Sequence, residues 1–470
     1  MSKKKDFIKN TLILFIGKFA TQFTSFLLLP LYTHYLLTDD YGWVDFLQTY
    51  ITLFVPILTL RLDSALFRFL IDNRKNENGK KKIISNTIFV LLLSLIFTII
   101  FCLILIFFIR INYFYETLIN IVILMVSNLL LQVLRGLGKN KEYSICSIIT
   151  GLTCLLLNIV LIIKFNFSAN SILISSSISN LLVIIFIIFK VKIFKYISLH
   201  LINKNTIKQL LKYSLPMIPN SLSWWIINVS DRTIIKFVLG NSINAIYSVS
   251  CKFSNLLNSV FSIFNMSWQE SASLHINDED RDDFFSDIIN KMIILFSSVS
   301  ILIIGILPVF YNLIIGKSYI ESYRYIPILL YANIWNIIIN LIGGIYVALK
   351  KTKKIASTTI ISAVINIFIN LVLIKFIGLY AACISTFISY FAMTIYRYYD
   401  LKKYMNVAIN FNSILIFTIL FSISSALYYL NNNYFNMLNL IFVIIYFIFN
   451  NNNIIRQIKK KFIKIINKKK

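Results

Sequence analysis

The chain has 470 residues, of which 58% are hydrophobic and only 14% charged, with a mean hydropathy of +0.77. A soluble domain is about half apolar and its hydrophobic runs are broken by charge; here uncharged runs of roughly 20 residues or more recur from end to end, the length that crosses a hydrocarbon core about 30 Å thick. The formal net charge of +27 does not signal nucleic acid, because the basic residues punctuate the apolar runs on alternate sides instead of forming one face interleaved with aromatics.

The N-terminal MSKKKDFIKN is basic, but the apolar stretch after it is too long for a signal peptide and lacks a small-residue cleavage pattern, so it is expected to stay as the first helix. Apolar runs bounded by charge or by Asn, Gly and Pro clusters predict helices at about 11–36, 44–71, 83–109, 117–135, 144–163 and 171–189. These form an N-terminal six-helix bundle over 1–189. A basic cytoplasmic linker follows at 190–212. Further helices are predicted at about 213–238, 244–268, 288–314, 325–349, 355–374 and 378–397, a second six-helix bundle over 213–397. A last pair near 411–430 and 436–450 occupies 398–450, and 451–470 is a basic cytoplasmic tail. The expected fold class is thus an all-α integral membrane protein of about 14 transmembrane helices.

Loop charges test this map independently, since a wrong helix count would scramble them. Segments assigned to the cytoplasm, Arg397 among them, hold 35 of the 46 Lys and Arg; the opposite side holds six. Both termini are therefore expected in the cytoplasm. The acidic HINDEDRDDFFSD loop breaks the trend and reads first as a solvated turn. No segment between helices is much longer than about twenty residues, too short for a soluble catalytic domain. An enzyme is therefore not expected. The five cysteines fall in apolar runs without paired spacing, and the three histidines lack acidic or cysteine partners at ligand spacing, so neither disulfide framework nor metal site is indicated.

The two halves open alike, each with an internal proline in a helix, a short polar outward turn and a second helix that begins near a tyrosine motif. If this is a repeat, its even helix number relates the bundles by a pseudo-twofold axis along the membrane normal, with the substrate path expected between them.

An ionised side chain near the bilayer centre costs about 2.5–3.5 kcal/mol on insertion scales, so charges within helices need an internal partner or a wet cavity. The candidates for lining such a cavity are Lys18, Arg61, Arg68, Trp224, Asp231, Arg232, Lys252 and Asn255. The predicted helices put Lys18, Arg61 and Arg68 toward the cytoplasmic half, with the arginines on one face of helix two, and Arg232 and Lys252 toward the outer half. Two cationic steps would compensate an anionic head group in transit. The structural alternative is pairing or snorkelling: Arg61 with Asp63 or a carbonyl, Arg68 and Arg232 at the interfaces, Asp231 with Lys252. Polar stripes Asn333, Asn336, Asn340 and Ser362, Asn366, Asn370 read foremost as interhelical hydrogen bonding. Pro216 and Pro219 are expected to kink helix seven, as hinge candidates.

At KNTLILFIGKFATQFTSFLLLPLYTHYLLTDDYGWVDF and at LLKYSLPMIPNSLSWWIINVSDRTIIKFVLG, with the IYSVSCKFSNLL and SWQESA segments, the sequence resembles the Wzx-type polysaccharide repeat-unit flippases. The most specific stretch carries Pro216, Pro219, Asn220, Trp224, Asp231 and Arg232. The resemblance implies the multidrug/oligosaccharidyl-lipid/polysaccharide exporter superfamily and alternating access without a cofactor. It implies as cargo an oligosaccharide on undecaprenyl diphosphate, with membrane lipids, a polysaccharide polymerase and glycosyltransferases as partners and no nucleic acid. Within the same superfamily a lipid II flippase or a drug/cation antiporter is the neighbouring reading; from another class, the rival is a membrane polysaccharide polymerase or glycosyltransferase.

Overall fold

The computed structural model describes residues 17, 21, 23–108, 111–349 and 351–466, the side chains at 220, 223, 224, 227, 228, 263, 266, 352 and 453–466 excepted. Lys18 and the side chain of Trp224 lie outside the described residues. Those described are helical or in turns, with no strand among them. The chain divides into two compact units, Met1–Ser248 and Val249–Lys470.

Unit 1 begins with α1 (Leu29–Tyr35), α2 (Thr38–Leu58), α3 (Leu62–Asp72) and α4 (Glu77–Phe108). It continues through α5 (Phe114–Gly136), α6 (Asn140–Ile159, prolonged by a π turn at Val160–Lys164) and α7 (Asn170–Val191), then α8 (Lys204–Ser214), α9 (Met217–Leu239) and the first turns of α10 (Asn241–Leu274). Unit 2 holds the rest of α10 with α11 (Arg281–Ile314), α12 (Ile326–Ala348), α13 (Thr352–Ile377), α14 (Tyr380–Leu401), α15 (Phe411–Leu430) and α16 (Asn433–Ile466).

The helices are turned inside out relative to those of a water-soluble protein. Along α4, Leu93, Phe97, Ile100 and Phe107 are exposed while Ser85, Asn86, Thr87, Ser94 and Thr98 are buried. Only a solvent as apolar as the leucines themselves makes that arrangement favourable. Among the described residues nine helices are long and apolar enough to cross a membrane. The remaining long helices, α2, α9, α10 and α14, mix acids, bases and amides into their apolar runs.

Three predicted elements need correction. The second predicted helix is broken: α2 ends after Pro56 in its last turn, and Leu60 and Arg61 both adopt left-handed backbone with φ 53° before α3 starts. Apolar periodicity runs straight across this break, which hides it. Arg61, in left-handed backbone, therefore only caps the helix that carries Arg68, and the two do not lie on one helical face. Second, the prolines do not sit mid-helix: α8 closes at Ser214, Pro216 caps α9 and Pro219 lies in its first turn, where a missing N–H costs nothing. Third, the last helix does not stop near 450. It continues to Ile466, and its 34 residues span about 51 Å, more than the hydrocarbon core.

Each unit also fastens its own cytoplasm-assigned connection in a similar way. In unit 1, Ser85 Oγ accepts from Ser198 N at 2.8 Å, and Asn86 accepts from Asn203 N at 2.8 Å while donating to the Leu201 carbonyl at 2.9 Å. In unit 2 the segment 404–410 lies along the start of α11. The backbone N–H groups of Asn406, Ala408 and Asn410 donate to the side chains of Asp282, Ser286 and Asn290 at 2.8, 2.9 and 2.8 Å. The acidic loop predicted as a solvated turn thus opens a helix and holds a strap.

The terminal pair is anchored within unit 2. Tyr323 and Tyr428 stack at 3.8 Å between centroids and each hydroxyl donates to the other's carbonyl at 2.9 Å. α16 packs along α11 at Gly305, where a Cβ would lie 2.3 Å from Val443 Cγ2. Gly305→Val should therefore overpack this contact and cost about 1–3 kcal/mol, read as a lowered thermal midpoint of the purified protein in detergent.

Candidate functional site

In unit 1, α2 and the first turns of α10 approach so closely that a Cβ on Gly42 would stand 1.8 Å from the Asn241 carbonyl oxygen. Asn244 Nδ2 donates to the Gly42 carbonyl at 2.9 Å, and one turn on Ser248 Oγ donates to Asp45 Oδ1 at 2.6 Å. Asp45 is 5% exposed, and its second oxygen lies 3.4 Å from Arg232 Nη1 on α9. Arg232 also donates to Thr49 Oγ1 at 3.3 Å, while the Thr49 carbonyl accepts from Trp225 Nε1 at 2.9 Å. Tyr247 donates to the buried Asp231 at 3.0 Å. One charge pair and its hydrogen bonds thus join α2 to the consecutive helices α9 and α10, far along the sequence.

Arg232 meets an acid that was not among the sequence candidates. Asp45 sits in the apolar run of WVDFLQTY, and the rule that an intramembrane charge needs a partner applies to acids as to bases. Lys236 is held among rings, its Nζ 4.2, 4.2 and 4.4 Å from the centroids of Trp43, Phe46 and Phe237, contacts in which the ring faces replace water around the ammonium. Arg68 pairs with Asp72 at 2.8 Å with both side chains half exposed. Arg61 stands 3.7 Å from Asp63 and donates to Ser64 Oγ at 2.8 Å. Three of the five cations assigned to helix interiors thus face carboxylates. Lys252 and Asn255 lie on α10 beyond the division, in unit 2, the first half-buried and the second exposed.

In unit 2 the amide stripes tie helices together. Asn258 donates to Asn333 at 2.7 Å and accepts from Asn336 at 3.5 Å, Ser362 donates to the Ser389 carbonyl at 3.2 Å and Asn366 reaches Ser385 and Thr386 at 3.4 Å, while Asn340 bonds to Asn336 within α12. Arg397, assigned from sequence to a loop, is instead buried in the last turns of α14 at 2% exposure. Its guanidinium donates to Thr358 Oγ1 (2.9 Å), the Ile339 carbonyl (3.1 Å), the Ile355 carbonyl and Thr359 Oγ1 (both 3.2 Å). All four acceptors are neutral. The nearby acid, Asp400, accepts from Tyr346 at 3.0 Å and from Lys354 at 3.2 Å. The run YRYYDLKK looks like a helix end, and only the acid three residues beyond Arg397 hints at an interior. Among the described residues no group of His, Cys, Asp and Glu could hold a metal ion, and the five cysteines are free thiols.

Arg232, paired with a buried acid, and the buried Arg397 should answer differently to removal. Deleting one partner of Asp45 and Arg232 strands the other, an uncompensated charge worth about 3–5 kcal/mol; Asp45→Ala with Arg232→Ala should cost less than the summed singles, coupled by about 0.5–3 kcal/mol. Thr358 and Thr359 also bond to carbonyls of their own helix at 2.8 and 2.7 Å, so Arg397→Met strands nothing and should shift stability by about 1 kcal/mol or less. Thermal unfolding of the purified variants checks both.

Residues 7–269 match the family model described as "Polysaccharide biosynthesis protein". The fold is shared with solved transporters. The lipid II flippase MurJ in its inward closed conformation superposes with a TM-score of 0.70 at 16% identity, covering 96% of this chain and 99% of that one. An inward-facing multidrug resistance MATE family transporter of the MOP superfamily gives 0.66 at 12%, covering 89% and 96%. A MOP superfamily transporter from Pyrococcus furiosus gives 0.59 at 12%, covering 84% and 95%. No curated protein matches the sequence. With more than half of its length matched by one family model, on a scaffold common to these transporters, the chain belongs to the polysaccharide biosynthesis protein family.

Proposed function

We propose that this protein is a flippase that carries oligosaccharide repeat units linked to undecaprenyl diphosphate from the cytoplasmic to the outer leaflet of a bacterial cell membrane. The observation that carries the reading is the polysaccharide biosynthesis family match over residues 7–269 in a chain whose whole length follows a flippase fold. In this reading the chain crosses fourteen times with both termini in the cytoplasm. The predicted first helix and the broken α2–α3 count as two spans, α4 to α7 and α9 to α14 as ten, and α15 with α16 as the added pair. Six-helix bundles over 1–189 and 213–397 move by alternating access, with Pro216 and Pro219 marking the flexible entry to α9. Polymerase and glycosyltransferases act before and after it as separate proteins.

The pairing of Arg61, Arg68 and Arg232 weakens the idea of a naked cationic ladder. Head-group contact is assigned to Lys252 and its neighbour Asn255 on α10 in unit 2. The rival from the same fold is lipid II transport or drug/cation exchange, supported by the nature of the MurJ and MATE neighbours.

Reconstitution into vesicles with labelled lipid-linked oligosaccharide is the test. Reorientation of the label without new glycosidic bonds is expected; new bonds would mark an enzyme, and transport of lipid II or of a cationic drug in its place would favour the rival. Lys252→Ala should slow the oligosaccharide flux by about tenfold or more, the loss of one charge-assisted contact, at undiminished membrane insertion. Full flux in that variant removes Lys252 from the path.

A further inference from the structure

We infer that the break between α2 and α3 builds a glycan subsite, in which Arg61 and Asp63 together grip adjacent hydroxyls of the cargo's sugar. This rests on the flippase reading above and deepens it, because it separates recognition of the sugar from recognition of the diphosphate.

A cavity of about 130 Å³ opens at the break, lined among the described residues by Thr59, Arg61, Asp63, Asn128, Gln132 and Tyr143 as well as apolar neighbours. About 10–15 Å³ of such space suffices for one water, so the diol edge of a sugar ring fits. Two consecutive left-handed residues, Leu60 and Arg61, shape this corner. Non-glycine residues adopt that backbone at a cost of about 1–2 kcal/mol each, and strain of this kind collects at ligand sites.

The polar groups are left incompletely used. Arg61 spends Nη2 on Ser64, and its Nη1 stands 3.7 Å from Asp63 Oδ2, beyond hydrogen-bond reach. Arg61 Nε and Asp63 Oδ1 are buried without a hydrogen-bond partner, Asp63 Oδ2 accepts from Ser64 Oγ at 3.4 Å, and the two side chains keep 26% and 22% of their surface exposed. A donor-only guanidinium thus lies beside an acceptor-only carboxylate with capacity to spare on both. A hydroxyl both donates and accepts. Two on neighbouring carbons match this pair, one oxygen accepting from Arg61 while the next O–H donates to Asp63, with the Asn128 and Gln132 amides in reach of the remainder of the ring. A diphosphate is the poorer ligand here, since Asp63 sets a negative charge against it.

Purified full-length protein, wild type and Asp63→Asn, would be titrated with undecaprenyl diphosphate carrying a disaccharide and with undecaprenyl diphosphate alone. The isosteric substitution removes the carboxylate charge and keeps the size. Binding of the sugar-bearing lipid is expected to weaken about tenfold, with binding of the bare lipid unchanged and an unaltered thermal midpoint. Gln132→Leu should reproduce the same selectivity at smaller amplitude. Equal losses for both lipids, or no loss for either, overturn the subsite. A wild-type protein that binds neither lipid overturns the flippase reading itself, a result distinguishable from failure of the subsite because it precedes any variant.

Discussion

The structure depends on a single constraint: in a hydrocarbon solvent a polar group has no water to fall back on and must find its partner within the protein. That is why serines, threonines and asparagines fill the inward faces of α4, α13 and α14 while phenylalanine and isoleucine face out. With lipid as apolar as leucine, burying leucine gives little; close packing and interhelical hydrogen bonds hold the helices instead. Gly42 under Asn241 and the Asn258–Asn333 contact are two forms of the same solution, one of shape and one of polarity.

Charge within the helices is handled in three ways that differ in their chemistry. Asp45 and Arg232 neutralise one another and draw Thr49 and Ser248 into the arrangement. Arg397 is surrounded by neutral oxygens, whose dipoles stand in for a counter-ion. Lys236 uses the negative faces of three rings. The first of these is a switchable element, since an ion pair can exchange its partner for a charged ligand. The other two read as fixed parts of the scaffold.

Most helices were legible because span length and loop charge are one-dimensional signals. The Phe411–Leu430 helix falls where the apolar run and its flanking asparagines place it. The breaks were not legible: nothing in LTLRLD distinguishes a left-handed pair from one more helical turn, because the backbone conformation is imposed by tertiary packing. Of the candidate site, Arg61, Asp231 and Arg232 could be singled out as charges in apolar surroundings. The partner of Arg232 could not, since Asp45 lies 187 positions away and pairing across helices leaves no local pattern. Arg397 was misplaced for a related reason, as a cation near a helix end looks solvated until its neighbours are known.

The strap over the start of α11 carries a geometric limit of its own. An extended chain advances about 6.8 Å for every two residues, whereas a helix rises about 6.0 Å for every four. Two such ladders therefore slip by about 0.8 Å per rung, and by the third rung the mismatch is comparable to the tolerance of a hydrogen bond. Asn406, Ala408 and Asn410 occupy those three rungs. The fastening is thus self-terminating, and the chain is released into α15 as the commensurate stretch runs out.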